Sequence, residues 1–370
     1  NYPTKTTVYR VDYSNDTASP ISRGFLTANA YNSATFSAAE NALGVGLQGA
    51  ASNIGVNRVP VGTDFGYFGG GSPGTGVTTV DRIDYSNDTP TASAKGPLSL
   101  ARRLLAATGN ASYGYFGGGF PAPGPGAYST VDRLDYSSDT TTAAAKGPLT
   151  SNRRNLTAVS NASYGYFGGG YDPSYLSTVD RIDYASDAST ALTRGPLSSA
   201  RGELAATGNA SYGYFGGGNP GAPDVSTVDR VDYSNDTPTA SPKGPLSSIR
   251  TSMGATGNAN FGYWGGGSPS NSFVDRLDYS SDTTTAAAKG PLSAARYFVA
   301  ATGNASYGYF GGGYPSISTI DRVDFSNDTP TAAAKGPLSA GRYALAAVSS
   351  RANALPTENI YSTTVSSSEE

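Results

Sequence analysis

The 370-residue chain has neither cysteine nor histidine, and only one methionine and one tryptophan. Without cysteine it can form no disulfide and offers no thiolate. Without histidine it has no imidazole to hold a metal and no base for a Ser-His or Cys-His nucleophile. Charge is also scarce. Charged residues make up 14% of the chain, and the balance of 25 basic against 28 acidic residues leaves no surplus for binding nucleic acid. No apolar run approaches the roughly 20 residues that a membrane helix needs, so neither nucleic acid nor membrane insertion is expected. The chain starts Asn1-Tyr2-Pro3, with no initiator Met and no signal-peptide pattern, as expected of a processed chain or of one whose upstream residues are missing.

Glycine (48) and proline (23) are abundant enough to rule out long helices. Yet 26 tyrosines and 13 phenylalanines are more than a disordered Gly/Pro-rich linker carries. Together these point to a rigid all-β scaffold with no enzyme activity, no cofactor and no metal.

The strongest signal is internal repetition. An Asp-Arg-x-Asp segment, with one variant, recurs seven times, its arginine at Arg10, Arg82, Arg133, Arg181, Arg230, Arg276 and Arg322. Gly-Tyr-Phe-Gly-Gly-Gly, or its Trp variant, recurs six times from Gly66, Gly114, Gly165, Gly213, Gly262 and Gly308. A basic residue followed by Gly-Pro-Leu-Ser/Thr closes each period, reading Arg23-Gly24-Phe25-Leu26-Thr27 in the first. Each period holds four β-like runs, for example Leu104–Thr108, Tyr113–Gly117, Thr130–Tyr136 and Thr141–Ala145, separated by turn formers. Four short strands in about 50 residues is the arithmetic of one propeller blade.

The order of these features resembles the kelch repeat along nearly the whole chain. Gly69-Gly70 stands where that family ends its second strand, Asp84-Tyr85 where it closes the third, and Pro97 to Arg102 ahead of the next first strand. The Trp that follows the third strand in that family is replaced here by Ala and Thr. The wording YGYFGGG (113–119), STVDRLDYSSDT (129–140) and AKGPLS (94–99) also resembles virion structural proteins of marine, especially cyanobacterial, phages. The resemblance implies a kelch-like propeller in a virion or extracellular setting.

The expected fold is therefore an all-β, seven-bladed β-propeller of four-stranded kelch-like blades, spanning residues 1–361 and followed by a polar tail at 362–370. A composite blade closes the ring, with two outer strands from the N-terminus and the inner strand or strands from the C-terminus. The first interval between repeat arginines is 72 residues against 46–51 for the others, which places an inserted arm at about 31–61.

One end of the blades carries near-identical Gly-Asn-Ala-Ser and Ser-Asn-Asp-Thr turns, while the links between second and third strands diverge. Variable loops on a rigid frame carry binding. Aromatics in those loops, Phe120, Tyr128, Tyr171, Tyr175, Phe273 and Tyr314, are the candidate contacts, by stacking on sugars, covering blade ends or packing on another subunit. Buried charges need partners, so Asp81, Asp132, Asp180, Asp229, Asp275 and Asp321 are expected to pair, in that order, with Arg102, Arg153, Arg201, Arg250, Arg296 and Arg342. The first repeat lacks both members, with Tyr9 and Ala30 in their places. The turn aspartates Asp16, Asp88, Asp139, Asp187, Asp236, Asp282 and Asp328 suit Asx-turns, and the seven basic residues from Arg23 to Lys335 suit solvated positions or nearby carbonyls and carboxylates. Gly69-x-Gly71-x-x-Gly74 and Gly70-x-Ser72-x-Gly74 match a dinucleotide fingerprint and a nucleophile elbow, but neither has the helix or histidine its chemistry needs.

The function expected is structural or binding, as a phage tail, fibre or decoration protein that contacts other virion proteins or a host-surface glycan or protein. The alternative is a secreted or surface-attached bacterial glycan-binding adhesion propeller. A homo-oligomer is compatible with either.

Overall fold

The computed structural model describes residues 64–349 apart from 122, 123 and 125, together with the backbone of two strands, Lys5–Arg10 and Ile21–Ala30. The arm at 31–61 and the tail at 362–370 lie outside the described residues. The chain divides into two compact units, Asn1–Val61 with Asn359–Glu370, and Gly62–Glu358.

The second unit is a β-propeller of six four-stranded antiparallel sheets. Blade 2 shows the pattern: an inner strand Ala106–Gly109, then Tyr113–Gly117, Val131–Asp135 and an outer strand Ala144–Lys146. Blades 3 to 6 repeat it with inner strands at Thr157–Ser160, Ala205–Gly208, Gly254–Gly257 and Ala300–Gly303. Blade 1 is composite. Its inner strand is Ala346–Ser349 and its other three are Phe65–Gly69, Val80–Asp84 and Ser93–Ala94. Inner strands of adjacent blades touch in a closed cycle, with blade 1 against both blade 2 and blade 6.

This corrects the expected seven blades. The C-terminal strand does close the ring, but its partners begin at Phe65, and the N-terminal strands contribute nothing to that sheet. Among the described strands, Lys5–Arg10 and Ile21–Ala30 pair only with each other, as a two-stranded sheet. The physical reason is legible in the first repeat. It carries Tyr9 and Ala30 where a blade needs its carboxylate and guanidinium. The chain that elsewhere turns through Pro-Leu-Ser therefore stays extended for ten residues.

Blade packing follows from the second strand. In Gly-Tyr-Phe-Gly the tyrosine and phenylalanine point to opposite faces of the sheet, and Tyr67, Phe68, Tyr115 and Phe116 are all fully buried. Tyr67 of blade 1 packs in one cluster with Phe116, Leu134 and Tyr136 of blade 2, and Phe68 packs on Tyr309 of blade 6. Each buried ring contributes roughly 2–3 kcal/mol of burial, and six such junctions make up the core. The flanking glycines let the blades meet. A Cβ on Gly69 would strike the Phe116 ring, while Gly70 and Gly71 take φ of +66° and +95°, where L side chains are strained.

Candidate functional site

Two sets of carboxylates hold the frame from which the variable face projects. In blade 2, Asp132 accepts from the Arg102 guanidinium at 3.0 Å, from the Ser99 hydroxyl at 2.6 Å and from the Ser99 backbone N–H at 3.0 Å. Arg102 also donates to the carbonyls of Phe116 and Thr130. Burial depresses the Arg102 pKa, opposed by Asp132 beside it. This geometry gives Pro-Leu-Ser-x-x-Arg its spacing, because serine and arginine three residues apart grip one carboxylate. All six clamps are closed, at 2.5–3.0 Å, and their charged side chains are at most 2% exposed.

The twelve residues named from the sequence meet, but in different couples. Asp132 binds Arg102, not Arg153. Arg153 binds Asp180, Arg201 Asp229, Arg250 Asp275, Arg296 Asp321 and Arg342 Asp81. Each arginine lies just ahead of an inner strand and reaches the third strand of that same blade, so the pairing is shifted by one repeat from the expected order.

The second set joins neighbouring blades. Asp139, in a turn of blade 2, accepts from Tyr67 and Arg82 of blade 1, at 3.0 and 2.8 Å, and forms an ion pair with Lys95 of that blade at 3.6 Å. Asp187, Asp236, Asp282, Asp328 and Asp88 do the same around the ring. These turn aspartates are inter-blade staples, in place of the Asx-turns expected of them. The Asx geometry belongs to Asp84, Asp135, Asp183, Asp232, Asp278 and Asp324, each accepting from the N–H two residues on. Asp16 and the side chain of Arg23 lie outside the described residues.

Beyond the clamps the repeats diverge. The two residues after each clamp arginine read Arg-Leu, Arg-Asn, Gly-Glu, Thr-Ser, Tyr-Phe and Tyr-Ala. The first of each pair bridges to the residue after a glycine triplet: Arg103 to Phe120, Arg154 to Tyr171, Gly202 to Asn219, Thr251 to Ser268, Tyr297 to Tyr314, and Tyr343 to Ser72. The second forms a ring about the axis. Leu104 donates its N–H to the Ala344 carbonyl, Asn155 to Leu104, Glu203 to Asn155, Ser252 to Glu203, Phe298 to Ser252, and Ala344 to Phe298, at 2.7–3.1 Å. All six hold φ between +55° and +58° without being glycine, a strain that persists only where the surroundings over-determine it. Beneath this ring runs a channel of about 120 Å³ lined by the inner strands. At its mouth Glu203 accepts from the Ser252 hydroxyl at 2.7 Å and from Asn155 Nδ2 at 3.3 Å.

The bridged pairs divide the face. Blades 4 and 5 present Gly202, Thr251, Asn219 and Ser268. From blade 6 round to blade 3 runs a continuous band: Tyr297 on Tyr314 (5.1 Å between ring centroids), Tyr314 edge-on to Tyr343 (5.4 Å), and the Tyr343 hydroxyl accepting from Arg103 (3.2 Å). Arg103 pairs with Phe120 through the backbone, and Arg154 lies over the Phe120 ring at 4.4 Å and the Tyr171 ring at 5.3 Å. Tyr171 in turn meets Tyr175 at 5.1 Å. Burial, then the nearby Glu203 carboxylate, raises the Tyr175 phenol.

Four of the candidate contact residues, Phe120, Tyr171, Tyr175 and Tyr314, fall in this band. Tyr128 is half-buried, its backbone spanning Gly119 and Arg153, and Phe273 is 55% exposed in the blade 5 loop. Arg103, Arg154, Tyr297 and Tyr343 were missed by sequence reasoning. Their signal was the dipeptide after each clamp arginine, a second short stretch in which the repeats differ from one another. Among the described residues no three acidic side chains converge as a metal site, and no helix is long and apolar enough to cross a membrane.

No protein-family model and no curated protein matches the chain. Among solved structures the chain is similar to YjhT, with a TM-score of 0.61 and 12% identity over 76% of this chain and 99% of that one. At that identity the likeness speaks for the fold alone. The protein is thus a β-propeller with four-stranded blades.

Proposed function

We propose that the chain is a non-enzymatic binding propeller of kelch-like repeats, a component of a phage particle that contacts a host surface or another virion protein through its individualised face. The observation that carries this reading is the confinement of variation, among the described residues, to one end of a frame whose other end repeats closely from blade 2 to blade 6. Asn110, Asn161, Asn209, Asn258 and Asn304 cap near-identical turns at the other end, each accepting the N–H groups two and three residues on. The bridged pairs and the axial ring differ from blade to blade, and divergence on a rigid support is the pattern of a recognition surface. The kelch-like spacing and the phage-like wording of the repeat supply the context.

The test is photo-crosslinking in purified particles, with a benzophenone side chain at Tyr171 or Tyr314 and, as controls, at Ser163 or Ser306 in the uniform turns. Adducts to a defined particle or host-surface component from the first pair only are expected. Adducts mainly from the uniform turns would overturn the reading.

A further inference from the structure

We infer that the aromatic–arginine band spanning blades 6, 1, 2 and 3 is a binding site for carboxylate-bearing oligosaccharides. This rests on the proposal that the individualised face is the recognition face.

The argument begins with an inventory of cations. Residues 64–349 contain twenty lysines and arginines. Eighteen lie within 3.7 Å of a carboxylate in the clamps and staples. The remaining two, Arg103 and Arg154, have no carboxylate partner among the described residues. Both sit at the same repeat position, in adjacent blades, on the individualised face. No other repeat has a cation there: Gly202, Thr251, Tyr297 and Tyr343 occupy the place.

Both are positioned without being neutralised. Arg154 is held over the Phe120 and Tyr171 rings, a cation–π arrangement that fixes the guanidinium plane and leaves its donors for a ligand. Arg103 donates through Nη1 to the Tyr343 hydroxyl, and its Nε is buried without an acceptor among the described residues. Phe120 links them, paired with Arg103 through the backbone and with Arg154 through its ring. A planar fork of donors matches a carboxylate, and does so better than a point charge would.

What flanks the cations selects the rest of the ligand. Tyr314, 44% exposed, with Tyr297 and Tyr343 on one side, and Tyr171 with Tyr175 on the other, offer rings edged with hydroxyl groups. Such surfaces suit a pyranose, which has one apolar face and a rim of hydroxyls. An acidic peptide would satisfy the arginines but makes less use of this continuous band.

Isothermal titration of the whole chain with oligogalacturonate tests the assignment, alongside a neutral galactan oligomer of equal length, polyglutamate and inorganic phosphate. Saturable binding of oligogalacturonate is expected, weakened by salt, with the other three at least about tenfold weaker. Arg154→Gln and Arg103→Gln should each lose about tenfold or more, the scale of one charge-assisted contact. Lys243→Gln, which changes a staple lysine, should not alter binding. Thermal melts confirm that the variants fold. No saturable binding, equal binding of polyglutamate, phosphate or the neutral oligomer, or unchanged binding by both arginine variants would overturn it. If crosslinks from Tyr171 and Tyr314 survive while oligogalacturonate fails to bind, this inference alone falls. If both fail, the choice of face falls with it.

Discussion

The clamps within blades and the staples between them use the same chemistry, aspartate with arginine, in two different surroundings. Clamp side chains are at most 2% exposed, whereas the staple arginines are 18–27% exposed. A clamp joins the chain just ahead of the inner strand to the third strand of one sheet, so it defines a blade. A staple joins sheets already formed. The first repeat supports this division, since it lacks the clamp pair and forms no four-stranded sheet. Clamps therefore decide whether a repeat becomes a blade, and staples decide how firmly blades hold one another.

The most damaging change should be Asp132→Asn. It removes the carboxylate beside Arg102 and leaves a buried guanidinium without a counter-charge, a loss of about 3–5 kcal/mol. Urea denaturation is expected to show that loss, nearly unchanged between low and high salt because the pair is shielded from screening. A loss below about 1 kcal/mol would break the comparison.

The same substitution in a staple, Asp187→Asn, should be milder, about 1–3 kcal/mol, since it weakens hydrogen bonds to a charged group but leaves Arg133 partly solvated. Salt should reduce its effect. The pH dependence follows from the carboxyl itself. Burial acts to raise the Asp187 pKa, but hydrogen bonds from Tyr115, Arg133 and Lys146 outweigh it and hold it below the ordinary value. A depressed carboxyl stabilises the fold fully above its unfolded pKa of about 3.9, and that stability disappears as pH falls through the folded value. The wild type should therefore lose stability in acid faster than Asp187→Asn does. Parallel acid limbs would show that the staple is not ionised in the way its geometry implies.

Much of this was legible in the sequence, and the failures are specific. The period, four strands per repeat and closure by a C-terminal inner strand all follow from the spacing of turn formers and apolar runs. The blade count went astray because it followed the seven Asp-Arg segments, although the six glycine triplets and six complete Asp and Arg sets tracked whole blades. Partner choice in the clamps was not readable, because repeat order does not say whether an arginine turns back to the preceding sheet or forward into its own. The axial ring of left-handed residues was hidden for a different reason. Its φ values are imposed by six backbones converging on one axis, and Leu104 or Phe298 carries no local preference for them.

The smallest effect expected bears on whether ring stacking or hydroxyl bonding matters more at the stapled junctions. Tyr67, whose hydroxyl binds the staple Asp139, stacks on Tyr136 at 5.1 Å, and Tyr309 stacks on Tyr85 at 4.8 Å. The Tyr85 hydroxyl is bonded to Thr302 at 3.1 Å, but the Tyr136 hydroxyl is buried with no partner among the described residues, since its neighbour across the junction is Val348. The corresponding place in blade 6 holds Phe325, stacked on Tyr263 at 4.6 Å. Tyr136→Phe removes an unsatisfied polar atom and keeps the stack, so stability should be unchanged or rise by up to about 1 kcal/mol. Tyr85→Phe strips a bonded hydroxyl and should lower stability by about 1 kcal/mol. Equal losses for the two variants would mean that the hydroxyls act alike at every junction, and that the staples owe their strength to something other than the stacked rings.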